Sequence, residues 1–442
     1  MKKKAVALAV GALFAAPAVQ AQLTMGNETT GTVQVYGKLY PEFVVAKGQG
    51  SSQPGTEVST LASTTIGPNG KPIISGTAVI EDHGKRNAVD SQNTYLGFRG
   101  ERSLGGGLKG IWQIEQSVEL DSGIGTWSSR NSFAGLSHRT LGTVKLGKMD
   151  TIYKEYGDTF GMFGISSGNF VSASNVLSMI GSGRNNVARF HERANSTIQY
   201  QTAEFAGFQA GVQYAPDEAR GDPGRSKNAN LWSYGIKWDS QMFYASVHQE
   251  IHNDYFGGSI NVASGLRNGT TDPGSAAAPV TASTGEFIPT GAAHSRDTAT
   301  RFSGEVRFSG PFAGRVTLDI ARLKYSETGQ AANGKFQEYR KPNWAVGADA
   351  GTGPWRFATQ YVRAGAGACK LTGDNVDCST NGLQSWLWTL GARYRFDRQT
   401  FVYAIAAKLN NGPSAIMDNW AASNPNRGED IKQVAMGVSY SF

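Results

Sequence analysis

Alternation of apolar and polar residues is the dominant pattern along this chain. In the last segment Val434, Met436, Val438 and Tyr440 fall on one face, whereas the intervening positions are small or polar. Residues 384–396 repeat the pattern, with large apolar residues on one face and two arginines on the other. Because successive side chains of a β-strand point to opposite sides, this period predicts half-buried strands and not helices.

Short turns alternate with long loops between these segments. Sixteen strands are predicted, over residues 31–45, 91–101, 108–120, 129–137, 142–149, 193–202, 207–216, 230–239, 240–250, 299–309, 312–326, 340–351, 354–364, 384–395, 399–410 and 430–442. Short connections on one side and long ones on the other are typical of a transmembrane barrel. We therefore predict an all-β fold, a transmembrane antiparallel β-barrel of 16 strands, in which the first and last strands pair to satisfy their backbone groups.

Composition narrows the class of protein. Only 39% of the residues are hydrophobic, and after the first twenty residues no apolar run approaches the roughly 20 residues of a membrane-spanning helix. The 42 basic and 35 acidic residues include no long basic run with interleaved aromatics, so we expect no nucleic-acid partner. An exported soluble protein with two β-sandwich domains remains an alternative, since alternation in single segments is a weak signal.

The first residues have the three parts of a secretory signal. Lys2, Lys3 and Lys4 precede an apolar stretch, which ends in small residues up to Ala21. We predict a cleaved signal peptide over residues 1–21 and one barrel domain over residues 22–442.

Two cysteines lie in a loop-like segment rich in Gly, Thr, Asn and Asp. Cys369 and Cys378 are separated by eight residues, and in an exported chain they are expected to pair as a loop staple. Two cysteines without further ligands make a poor metal site, so no cofactor or metal is expected.

Several short motifs occur in a fixed order. They are T-V-Q-V-Y-G-K at residues 32–38, Y-L-G-F-R-G-E at 95–101, L-G-G-G-L-K at 104–109, F-A-G-L at 133–136, G-T-V-K-L-G-K at 142–148 and the terminal V-S-Y-S-F. With them the chain resembles the Gram-negative general porins of the β-proteobacterial type.

This resemblance implies a homotrimeric outer-membrane barrel for passive diffusion of ions and small hydrophilic solutes. It also implies contact with outer-membrane lipids and lipopolysaccharide, and an assembly machinery that reads the terminal Phe442. The third loop, residues 150–191, is expected to fold into the lumen and to narrow it.

The family pattern assigns a constriction residue by residue. Basic wall residues face the third loop, and Tyr95 stands where the enterobacterial pattern has an arginine. The candidate residues are Lys38, Tyr95, Arg130 and Arg193 on the wall, and Glu155, Asp158, Arg184 and Arg189 on the loop. Because the tip of the loop is neutral and opposing carboxylates are few, we predict a mild preference for anions.

Two other functions stay open at this point. An outer-membrane barrel enzyme would need a positioned nucleophile and base, and the six histidines form no recognisable motif of that kind. A channel specific for organic acids would use a dedicated binding site, for which Phe160, Phe163, Phe170 and Tyr95 are the candidates.

Overall fold

The computed structural model describes most of the chain. The residues it does not describe are 1–22, 28–29, 92, 123–129, 166–169, 184–188, 217–228, 272–286, 290, 374–377 and 420–423. The predicted signal peptide and Arg184 therefore lie outside the described residues.

Sixteen antiparallel strands form the wall, as predicted from the alternation. They are β1 (Gly31–Leu39, continued by Glu42–Gln49), β2 (Arg86–Asp90, continued by Tyr95–Gly105), β3 (Leu108–Ser117), β4 (Ser132–His138), β5 (Gly142–Asp150), β6 (Arg193–Gln201), β7 (Phe208–Ala215), β8 (Asn230–Asp239), β9 (Phe243–Asn253), β10 (His294–Phe308), β11 (Ala313–Thr328), β12 (Phe336–Thr352), β13 (Trp355–Ala364, continued by Ala368–Leu371), β14 (Ser385–Arg395), β15 (Thr400–Asn411) and β16 (Asp430–Ser441). The pattern did not predict the short segments Arg86–Asp90 and Ala368–Leu371, nor two short strands outside the wall, Gly269–Thr271 and Phe287–Pro289.

The barrel closes where β16 pairs with β1. Residues 430–437 of β16 lie opposite residues 42–49, and Ser441 lies opposite Lys38. The terminal Phe442 then exchanges two backbone hydrogen bonds with Gly37, at 3.0 and 3.1 Å. A further strand, Leu23–Asn27, pairs with residues 31–35 and extends the same edge of β1 beyond the C-terminus.

The wall has its polar residues inside and its apolar residues outside. On β10, Asp297, Arg301 and Ser303 are buried, whereas Phe302 and Val306 are 39% and 47% exposed. A soluble protein distributes these residue types in the opposite way. The exposed apolar band therefore suits a lipid environment, and the polar face lines the lumen.

The third loop connects β5 and β6 over residues 151–192. It begins with helix α1 (Ile152–Gly157), whose N-cap Thr151 accepts a hydrogen bond from the Lys154 backbone N–H, and continues through a 3-10 turn (Met162–Gly164) to helix α2 (Ser174–Leu177). In the part of the chain that the structure describes, no helix is long and apolar enough to cross a membrane.

Two apolar clusters fix the loops to the inner wall. The first joins the tip of the third loop to inward residues of β1 and of β13 to β16, including Leu387, Tyr403 and Ile405. The second joins residues of several long loops, such as Leu61, Phe190 and Phe256, to the upper ends of β11 and β12. Cys369 and Cys378, which form a disulfide, pack against this second cluster.

Candidate pore constriction

The third loop is held by side chains from distant parts of the wall. Wall donors reach its backbone carbonyls, from Tyr244 to Tyr156 (2.6 Å), Arg315 to Thr159 (2.8 Å), Tyr40 to Gly164 (2.9 Å), Asn343 to Leu177 (2.9 Å) and Lys341 to Ile180 (3.0 Å). The donors belong to β9, β11, the break in β1, and β12. β9 and β1 lie on opposite sides of a sixteen-stranded barrel, so wall residues from both sides contact this loop.

The aromatic residues of the loop pack into the wall. Phe160, Phe163 and Phe170 are all at most 6% exposed and belong to the first apolar cluster. Rings buried in this way stabilise the position of the loop and offer little surface to a solute. This placement disfavours the binding site for organic acids that these residues suggested.

Arg130 is positioned by a carboxylate and a ring. Its Nε donates to Glu115, and its guanidinium carbon lies 4.8 Å from the centre of the Tyr95 ring. The other oxygen of Glu115 accepts from the Tyr36 hydroxyl at 3.0 Å. Glu115 was not among the predicted site residues, because alternation shows only that it faces inward.

Arg193 belongs to a second network at the base of the third loop. Its guanidinium and the Lys154 ammonium group both contact Asp150, each at 3.0 Å. Asn131 connects Arg193 with Asp150, because its side chain accepts a hydrogen bond from Arg193 at 2.9 Å and donates one to Asp150 at 3.1 Å. Asp150 and Lys154 were not among the predicted site residues.

Lys38 lies beside the tip of the loop. Its ammonium group is 4.8 Å from the centre of the Tyr40 ring, and a methyl group added to Gly164 would lie 3.0 Å from it. Beside the same tip, the Arg393 guanidinium lies over the rings of Phe401 and Phe163, at 5.1 and 5.6 Å. Alternation predicted that Arg393 faces inward, but this residue was not among the predicted site residues.

The acidic residues predicted on the loop lie apart from these arginines. Glu155 and Asp158 are exposed to the lumen, and Glu155 accepts a hydrogen bond from Gln201 on β6 at 2.7 Å. Arg189 pairs with Glu192 at 2.6 Å. Next to it, burial and nearby cations lower the pKa of His191 well below 6.5, so the ring is neutral.

A cavity of about 470 Å³ lies between the third loop and the wall from β2 to β6. Its basic lining residues are Arg86, Arg130, Lys154, Arg189 and Arg193, and its acidic ones are Asp90, Glu119 and Asp121. The structure thus brings three of the predicted residues into one cavity and places Tyr95 under one of them. Lys38, Glu155 and Asp158 lie outside this cavity.

A closed barrel with an apolar exterior and a charged interior is the architecture of a transmembrane β-barrel protein. Residues 5–414 match the family model described as Gram-negative porin, and the chain belongs to that family. It is accordingly a protein of the bacterial outer membrane.

Individual relatives share part of the sequence or the fold. The major outer membrane protein P.IB of Neisseria lactamica is 32% identical over 150 residues, which are 34% of this chain and 40% of that protein. The same protein of Neisseria meningitidis serogroup A is 30% identical over 198 residues, 43% of this chain and 51% of the relative. The chain therefore matches about half, or less, of the length of these relatives.

Solved structures share the fold at low sequence identity. The anion-selective porin from Comamonas acidovorans has a TM-score of 0.60 at 18% identity and covers 93% of this chain and 100% of its own. OmpT, an outer membrane protein of Vibrio cholerae, has a TM-score of 0.55 at 13% identity and covers 96% of this chain and 100% of its own.

Proposed function

We propose that the chain forms a water-filled channel for passive diffusion of ions and small hydrophilic solutes. The observation that carries this proposal is the closed sixteen-stranded wall with charged residues on its inner face. A barrel of this strand number encloses a lumen wide enough for water. We propose that the third loop, which donors from β9, β11, β12 and β1 contact, lies across this lumen and narrows it.

We further propose a mild preference for anions. Five basic and three acidic residues line the cavity beside the loop, and the neutral ring of His191 adds no charge. Outside the lining, Glu115, Asp150 and Glu192 pair with Arg130, Arg193 and Arg189 and offset part of this positive charge. Outside this cavity, Lys38 and Arg393 lie on aromatic rings, which hold a cation without cancelling its charge. Fixed positive charge in a narrow passage lowers the barrier for anions relative to cations.

The zero-current potential across a planar bilayer with a KCl gradient tests this proposal. Arg130→Glu and Arg193→Glu place negative charge at the cavity and should shift the potential toward cations. The shift should be largest at low salt, since the Debye length is about 10 Å at 0.1 M. Arg363→Glu is the matched control, because this exposed arginine faces outward on β13 beside the outward Trp386.

The two parts of the proposal fail in different ways. Channels whose potential stays unchanged in both lumen variants would refute the assignment of these arginines as the filter. An equal shift in the control would attribute the effect to net charge. Folded protein that forms no channel would refute the channel itself.

A homotrimer is proposed from the family resemblance. One solved structure with the same fold, OmpT of Vibrio cholerae, is described in a trimer form, at 14% identity and a TM-score of 0.55. Light scattering of the detergent-solubilised protein, corrected for bound detergent, should give three times the mass of one chain. A monomer mass for heat-resistant, conducting protein would refute this assembly.

A further inference from the structure

A group of basic residues lies on the inner wall beside the tip of the third loop, outside the cavity described above. Its members, called the basic cluster, are Lys38 on β1, Arg356 on β13, and Arg393 and Arg395 on β14. Arg393 lies directly opposite Arg356 on one side and opposite the buried, inward Tyr403 on the other, so these side chains share one face. Arg395, two residues along β14, shares that face as well. The cluster therefore projects into the lumen.

The basic cluster meets two consecutive residues of the loop tip. The Arg393 guanidinium lies 5.6 Å from the centre of the Phe163 ring, and the Lys38 ammonium group lies 3.0 Å from the position of a methyl group added to Gly164. The charges of Lys38 and Arg393 are near enough to interact, and the other two arginines also act on Arg393. The four positive charges thus converge beside one point of the loop.

One carboxylate, Asp349 on β12, contacts the basic cluster. One of its oxygens accepts from the Nε of Arg356 at 2.8 Å, and the other accepts from the Nε of Arg315 at 2.7 Å. Both oxygens are therefore already engaged by other arginines. Asp349 offsets the charge of Arg356 but forms no ion pair with Arg393 in the described structure.

The other three cations of the cluster have no carboxylate partner. In the part of the chain that the structure describes, Lys38, Arg393 and Arg395 form no ion pair. Glu42, a buried carboxylate on the same wall, accepts from the Tyr403 hydroxyl at 2.9 Å. Even with Glu42, four cations against two carboxylates leave an excess of two positive charges. The buried Nε of Arg393 also has no acceptor among the described residues, which is costly for an N–H donor.

Aromatic rings hold two of these cations in place. The Arg393 guanidinium lies 5.1 Å from the centre of the Phe401 ring, and the Lys38 ammonium group lies 4.8 Å from the centre of the Tyr40 ring. Both rings are buried. A ring face attracts a cation without neutralising it. The cluster is therefore pre-organised, and a ligand that binds it pays little to order these side chains.

The chemistry of the cluster fits an oxyanion with two negative charges. A guanidinium presents a fork of N–H donors that matches two oxygens of a phosphate or carboxylate group, whereas a chloride ion is a single atom. Arg395 is exposed, and the other three side chains are half-buried, so an ion in the lumen can reach them. An excess of two positive charges favours a dianion over a monoanion.

We propose that the basic cluster is a saturable binding site for a small oxyanion with two negative charges, such as hydrogen phosphate. The proposal rests on the proposed channel function, since the ligand reaches the cluster through the lumen. It goes beyond a general preference for anions, because a dianion bound beside the loop tip reduces the current of other ions while it occupies the site.

The test measures how inorganic phosphate, at a pH above its second pKa, blocks the KCl current through the protein in planar bilayers. With increasing phosphate in a fixed KCl background, the current should fall to a plateau, whereas acetate, an oxyanion with one charge, should not block. Arg393→Gln and Arg395→Gln together should raise the half-blocking concentration about a hundredfold.

The matched control removes the same charge from a distant part of the inner wall. It combines Lys145→Gln on β5 with Lys237→Gln on β8. Lys145 donates to the buried Gln199 and Gln201, and Lys237 lies on the buried Tyr156 ring, so both face the lumen. This variant should keep the half-blocking concentration of the unmodified protein.

Other outcomes would overturn the proposal. Conducting channels that phosphate does not block would refute the site and leave the channel function standing, whereas folded protein that conducts no KCl would refute both. An equal increase in the control would attribute the block to the net charge of the lumen, and equal block by acetate would refute the preference for a dianion. If the double variant fails to fold, Arg393→Gln alone should raise the half-blocking concentration about tenfold.

Discussion

The packing of the third loop gives the most direct prediction, through Leu177. This residue ends helix α2, which contacts β12, β13 and β14, and its side chain is fully buried in the first apolar cluster. Leu177→Ala removes apolar contact without touching a charge in the lumen. Loss of a fully buried leucine side chain costs about 3 kcal/mol.

That cost can be compared with what still holds the loop. The five wall-to-loop hydrogen bonds, including the bond from Asn343 to the Leu177 carbonyl, remain in the variant and contribute about 1 kcal/mol each. The tip should therefore stay docked most of the time. A loss of about 3 kcal/mol raises the displaced fraction about a hundredfold.

Single-channel recording in planar bilayers measures this fraction. The Leu177→Ala channel should spend about a hundred times more of its open time in a level of higher conductance or excess noise. Leu318→Ala is the matched control, because Leu318 is on the outward face of β11 and is 39% exposed. If the folded Leu177→Ala channel records like the control, the loop does not set the conductance and the reasoning is wrong.

Three further predictions concern the junction of β16 with β1, the Tyr95 ring beside Arg130, and the pH response of the third loop. Gly37→Ala would place a methyl group 2.5 Å from the Phe442 ring, whereas Gly84→Ala would place one in open space. When samples are heated stepwise before gel electrophoresis in detergent, the band of the folded barrel should be lost at a lower temperature for Gly37→Ala but not for Gly84→Ala. Tyr95→Leu removes the ring on which the Arg130 guanidinium lies, so it should reduce the anion preference measured as the zero-current potential. Tyr95→Phe keeps the ring and should preserve this preference. The pKa of His191 is lowered in the folded protein, so its packing is stable above pH 6.5 and loses up to about 1.4 kcal/mol of stability per pH unit below that. Proteolysis of the loop should therefore increase from pH 7 to pH 5, and it should increase less in His191→Gln.

Alternation predicted the wall well because it is a local property of each strand. Burial on β16 follows the predicted faces residue by residue, with the polar side inward. The path of the third loop was not predictable in the same way. Its position depends on contacts such as Tyr40 with Gly164, between residues far apart in sequence, and no short pattern encodes them.

The candidate site shows the same division. The motifs predicted Arg130 and Arg193 as site residues. Their partners Glu115 and Asp150 have no such motif and could not be distinguished from other inward-facing charges of a strand. Pairing depends on which strands are neighbours and on their register, and both are tertiary information. For the same reason, only the structure shows that Arg393 lies beside the loop, on the rings of Phe401 and Phe163.

The structure separates the apolar clusters that hold the third loop from the cavity whose arginines are proposed to filter ions. Lys38 and Arg393, which lie on rings of the first cluster, are the exceptions. Both apolar clusters lie on the side of β9 to β16 and β1, and the cavity with its arginines lies on the side of β2 to β6. Replacing Arg130 or Arg193 changes the charge of the cavity and also leaves Glu115 or Asp150 unpaired, because both ion pairs are largely buried. Changes in the apolar clusters remove buried contacts and alter the width of the passage instead. Selectivity and conductance should therefore respond to different sets of substitutions in this channel.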